Sequence, residues 1–177
     1  MKHLKLTIDM KKLLLAAIIA LAASMSAMAQ EDMPVISEKG VGSFKLGTHF
    51  SKVEPALKHY FPIIREDYAD MGEYRIIECC NADNELVLLL ETNSYPDDDI
   101  VRNMKVFSPL LKTAEGFSMD STASELLEAG GELDKVDQGI IIRLNGLRFW
   151  LHDEAMNGRR VDPEANPWAI TTTDWIY

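Results

Sequence analysis

The chain predicts an α+β fold built as two tandem units, each a helix packed on an antiparallel, hairpin-based sheet. Three observations carry this expectation. "SFKLGTHFSKVE" (Ser43–Glu54) is answered 73 positions later by "GFSMDSTASELLE" (Gly116–Glu128). In both places an apolar anchor, a turn, a capping residue and an apolar helix position follow in the same order. In both halves, strand-like runs joined by turn residues come next. At the 73-residue offset Phe44 meets Phe117, Leu46 meets Met119, Thr48 meets Ser121 and Val53 meets Leu126. Such recurrence reads as a repeated unit. The expected organisation is a leader over 1–29, a first unit over 30–110 and a second over 111–177.

The leader comes first. Lys11 and Lys12 precede an apolar run from Leu13 to Ala23, and "AMA" (Ala27–Ala29) follows. A basic start, a short apolar core and a small-x-small site describe a secretory signal peptide, cut before Gln30. The apolar run is too short to span a bilayer, which takes roughly 20 residues. Translation starts at Met1 or Met10. No Cys follows the cut, so no lipid anchor is expected. The chain is expected to be periplasmic or secreted.

The elements follow in order. Phe50, Val53, Leu57 and Tyr60 or Phe61 share one helical face. Ser51 with Glu54 forms one capping box, and Thr48 is the competing cap. Pro55 favours a start near Ser51, because proline is better tolerated in a first turn. "YRIIECC" and "ELVLLLET" are strands separated by "NADN", a hairpin. The second run, apolar from Leu86 to Leu90, is expected to be covered on both faces or central in its sheet. "IVRNMKVFS" is a further strand, with Ile100, Met104, Val106 and Phe107 as its candidate buried positions. In the second half Asp120 or Ser121 caps a short helix through Ala129, ended by Gly130-Gly131. "QGIIIRL" and "LRFWLHDE" join at Asn145-Gly146, the strongest short hairpin signal. "AITTTDWIY" is a final strand.

Charge narrows the function. Residues 1–29 carry four Lys and one Asp, so their removal takes the net charge from −10 to −13. Such a surface repels nucleic acid and anionic lipid. No nucleic-acid partner and no stable membrane insertion are expected. The two cysteines, Cys79 and Cys80, are adjacent and badly placed for a disulfide. They are read as two free thiols, at least one buried, with a strained vicinal bond as the alternative.

Sites for chemistry are sparse. His152-Asp153 offers a base beside a carboxylate, but strand neighbours point apart and no nucleophile elbow exists. His49 and His59 are too far apart for a helical metal pair. Asp97-Asp98-Asp99 lacks the alternation and glycine of a calcium loop. No catalytic residue, metal site or cofactor is predicted. The candidate binding residues are instead the late aromatics and arginines: Trp150, Arg159, Arg160, Trp168, Trp175 and Tyr177. Trp, Tyr and Arg dominate protein-interface hot spots.

"GSFKLGTHFSKVEPAL" and "KTAEGFSMDSTASELLEAGG" resemble the helix entries of outer-membrane-assembly lipoproteins of the SmpA/OmlA type and of tandem β-lactamase inhibitor proteins. The "MKKLLLAA" start on an acidic chain is also similar to small exported proteins of Bacteroides-type bacteria. The resemblance implies helices on small antiparallel sheets, and sheet and loop surfaces that grip a protein partner. The sequence-based expectation is therefore an exported, non-enzymatic binding module. Its partner would be a protein or cell-envelope component, met by a sheet face and the Asp153–Trp168 loop. The alternative is a small secreted hydrolase whose site forms only on folding.

Overall fold

The computed structural model describes residues 33–69, 74–93, 99–137, 139–157 and 160–172. The signal-peptide reading of 1–29 lies outside them. Residues from Pro34 onward form one unit.

Three short strands open the fold: β1 (Ile36–Ser37), β2 (Gly40–Val41) and β3 (Phe44–Lys45), paired as an antiparallel meander. Gly40 is required there. Its φ is +134°, and a Cβ would run into the Phe44 carbonyl. Helix α1 (Phe50–Tyr60) follows and buries Phe50, Val53 and Leu57. Four strands come next: β4 (Ile63–Ala69), β5 (Tyr74–Cys80), β6 (Leu86–Asn93) and β7 (Val101–Val106). Helix α2 (Ala123–Glu128) precedes β8 (Glu132–Val136), β9 (Gly139–Leu144) and β10 (Leu147–Leu151). A 3-10 turn (Asp153–Ala155) and the small hairpin β11 (Met156–Asn157) and β12 (Arg160–Val161) lead to β13 (Ala169–Thr171).

Eight of these strands make one antiparallel sheet in the order β4-β5-β6-β7-β13-β10-β9-β8. This corrects the α+β expectation of two helix-on-sheet units. The protein is mostly β. Among the described residues the α-helices have 11 and 6 residues, and the sheet runs unbroken through both halves. The seam is β13, which pairs β7 on one side and β10 on the other. A strand only three residues long thus joins the two four-stranded runs. Sequence pattern does not report pairing at that separation.

Both edge strands, β4 and β8, escape the sequence reading. "IIREDYA" and "ELDKV" carry charge on both faces, so neither shows a buried period-2 stripe. Helix caps also differ. α1 starts at Phe50 behind His49, with no side-chain cap, and Pro55 lies in its second turn. Its first N–H is taken by the Asp99 carbonyl at 2.8 Å. α2 is capped by Thr122 in a reciprocal box with Glu125, one residue beyond the expected caps. The helices begin at Phe50 and Ala123, which are 73 positions apart.

The sheet register sorts chemistry by face. One row of cross-strand partners reads Ile64, Cys79, Leu88, Val106, Ile170, Phe149, Ile142, Leu133 from edge to edge. Six of these eight, Cys79 to Ile142, are fully buried. The adjacent row reads Arg65, Glu78, Leu89, Lys105, Thr171, Arg148, Arg143, Glu132. Neighbouring rows point to opposite faces. Both helices lie on the apolar side. The Arg75 guanidinium, which shares a face with Ile77 and Cys79, sits 4.4 Å over the Phe50 ring. The Gly131 backbone, just after α2, leaves no room for a Cβ against Ile142.

Cys79 and Cys80 are both free thiols and both buried. Burial, with a smaller contribution from Cys80, pushes the Cys79 thiol up to about 12. The unfolded thiol titrates near 9.0. Above pH 9 the unfolded chain therefore releases a proton that the native state keeps, and stability falls. The expected slope is about 1.4 kcal/mol per pH unit for this proton between pH 9 and 12. Urea midpoints of wild type and Cys79→Ala across that range check it, and the variant should lose this part of the slope.

Candidate functional site

The sheet face that carries no helix among the described residues is the candidate surface. At its centre Asn103, fully buried, donates from Nδ2 to Glu91 Oε2 at 3.0 Å. Lys105 Nζ approaches the other Glu91 oxygen at 2.8 Å. One carboxylate is thus held by a charge and an amide on the neighbouring strand. Towards one edge Arg65 lies 3.5 Å from Glu78 and also donates to Asn84 Oδ1. Towards the other, Arg143 meets Asp134 at 2.8 Å. These exposed pairs contribute little stability individually. They keep the outer parts of the face polar and wet, while Thr171 and Arg148 are buried between them.

One step along β10 from Arg148 stands Trp150. Alternation puts its indole on the same face, and its Nε1 donates to Thr171 Oγ1 at 3.0 Å. Trp168 packs against it with ring centroids 6.2 Å apart, and the His152 ring stands 6.1 Å from Trp168. Trp168 is 40% exposed. An exposed indole packed against neighbouring rings is an apolar anchor with less rotamer freedom left to lose on binding.

The loop that delivers Trp168 is fastened from both ends. Its carbonyls at Pro163 and Ala165 accept from the first N–H groups of α2, Ser124 and Ala123, at 2.9 and 2.8 Å. These are groups that a helix start otherwise leaves unpaired. Asn166 Nδ2 donates to the carbonyls of Asp120 and Ser121. The Trp168 amide donates to the Trp150 carbonyl at 2.8 Å. The helix start and β10 together set the position of the ring.

Of the residues predicted to bind, Trp150 and Trp168 come together. Arg160 is exposed on β12. Arg159, Trp175 and Tyr177 lie outside the described residues. The sequence marks Arg143 and Arg148 as charge-balancing residues around the hairpin, but not the transverse row they share with Lys105, because only the register of eight strands aligns it. His152, set aside as half of a triad, is instead a ring neighbour of Trp168. Asp97 and Asp98 lie outside the described residues, while Asp99 accepts from Arg75 at 2.8 Å and from Thr92 Oγ1 at 2.6 Å. Among the described residues no group of three or more His, Cys, Asp or Glu is placed to hold a metal ion. None of the described helices is long and apolar enough to cross a membrane.

No known family matches the chain, and no curated protein matches it. Among solved structures it is similar to the uncharacterized protein yfeY from Escherichia coli, at 18% identity and a TM-score of 0.58. The match covers 77% of this chain and 97% of that one. At this identity the likeness concerns the fold.

Proposed function

We propose that the protein is an exported, non-enzymatic binding module that grips a protein or cell-envelope component with the sheet face opposite α1 and α2. The observation that carries this reading is Trp168, exposed yet packed against Trp150 and near His152, beside a row of charged side chains. A rigid aromatic anchor next to polar groups that can complement a partner has the make-up of an interface hot spot and its rim. The acidic balance of the chain favours partners that are not themselves acidic.

Point variants test this better than truncation, since cutting at Asp153 would remove β13 from the middle of the sheet. Immobilised wild type is used to capture a binder from envelope extract or culture supernatant. Trp168→Ala is expected to weaken capture at least tenfold, about the 1.4 kcal/mol or more lost on truncating a hot-spot residue. Lys52→Glu, on the exposed side of α1, should leave capture unchanged. Equal capture by wild type and Trp168→Ala would remove this surface from consideration.

A further inference from the structure

The outer edge of β4 carries a self-complementary pattern, and we propose that two copies of this chain pair through it. Among the described residues β4 is the edge of the eight-stranded sheet and pairs only β5. It has seven residues, and Arg65, Glu66, Asp67 and Tyr68 are all exposed. Tyr68 alone is 59% exposed, the highest value among the large hydrophobic side chains described.

Which backbone groups face outward follows from one hydrogen bond. The Tyr68 amide donates to Asp67 Oδ1 at 2.8 Å. It is therefore turned away from β5, and by alternation so are the amides and carbonyls of Ile64 and Glu66. A second copy laid antiparallel, with Glu66 opposite Glu66, brings Ile64, Glu66 and Tyr68 against Tyr68, Glu66 and Ile64. Every outward donor then meets an outward acceptor.

The side chains agree with the same register. Arg65 falls opposite Asp67 of the second copy, and Asp67 opposite its Arg65. These are the non-hydrogen-bonded positions, where facing side chains come closest. Two opposite-charge pairs form on one face. On the other face each Ile64 meets a Tyr68, twice, which is a favourable aromatic–β-branched pair. Glu66 meets its own copy, but each Glu66 is already ion-paired with Arg75 at 2.9 Å. The Asp67 carboxylate that now holds the Tyr68 amide is released to Arg65 of the second copy when that amide enters the new ladder. The contact is closed and two-fold, as symmetric dimers require. A foreign extended segment would gain the backbone bonds without the doubled charge match. Charges along an edge can also serve only to keep other strands away, and the test separates the two roles.

Sedimentation equilibrium of the purified protein, across micromolar concentrations at fixed salt, reads the dimer directly. Arg65→Asp sets like charges opposite each other twice and is expected to raise the dimer dissociation constant about tenfold or more. Asp67→Arg should do the same. The double variant Arg65→Asp with Asp67→Arg restores both pairs and should recover dimerisation to within about threefold. Glu66→Cys should give a covalent dimer under mild oxidation, since facing Cα atoms about 5.5 Å apart fall within disulfide reach. The native thiols are buried and do not compete. A wild type that stays monomeric overturns the proposal, even if it binds an extended peptide. A dimer indifferent to the two single charge reversals, or no Glu66→Cys cross-link, overturns it as well.

Discussion

Ile170→Asp is expected to leave the protein unable to fold. Ile170 is fully buried on β13, between Val106 of β7 and Phe149 of β10. A carboxylate there would sit in the middle of the apolar row, away from water and beside no cation of that row. The cost of burying an unpaired charge exceeds about 4 kcal/mol, a large share of the 5–15 kcal/mol that holds a typical domain together. The substitution also strikes the three-residue strand that joins the two halves of the sheet. Loss of the cooperative urea transition, with protein recovered mainly as aggregate, is the expected result. A soluble variant with a wild-type midpoint would mean that β13 does not occupy the centre of the sheet.

Phe149→Ala should cost about 3–5 kcal/mol, the range for emptying a fully buried aromatic site. Phe149 lies between Ile142 and Ile170 in the apolar row, so strands on both sides would border the cavity. The neighbouring Trp150, half-buried on the opposite face, provides the contrast. Trp150→Ala removes a larger ring but opens no closed cavity in the apolar core, and it should cost clearly less. Urea midpoints at unchanged m-value measure both. If Trp150→Ala proves as costly as Phe149→Ala, the two faces are not divided into packed and free as the register implies.

The strands that the sequence makes legible are those with strong local signals. "YRIIECC", "ELVLLLET" and "IVRNMKVFS" become β5, β6 and β7 with small boundary shifts. Asn145-Gly146 turns between β9 and β10 with φ of 52° and 75°, the left-handed pair that such a turn demands. Edge strands are another matter. β4 and β8 face solvent along one side and carry Arg, Glu, Asp and Lys on their pleats, so no hydrophobic period marks them. Long-range pairing is harder still. Nothing local in "AIT" says that it lies between strands ending some 60 and 20 residues earlier. The error in fold class follows from these two causes. Without the edges and the seam, two hairpins with two helices look like two small α+β units.

The candidate site shows the same division. The aromatic content of the last quarter of the chain is visible in sequence, and Trp168 follows Asn166-Pro167, where an extended chain is expected. That Trp168 packs against Trp150 is visible only once β10 and β13 are paired. The charged row depends on seven registers at once. Sequence reasoning thus names individual hot-spot candidates, while the surface that unites them is a property of the sheet.

Amide hydrogen exchange tests most directly whether the two halves share one sheet. If they do, the slowest amides of β5–β7 and of β9–β10 open together, with the same free energy and the same dependence on urea. Ile170 and its β7 and β10 neighbours should rank among the most protected. Two separate plateaus, with one half exchanging through an opening that leaves the other intact, would contradict a continuous sheet and with it the proposed binding face.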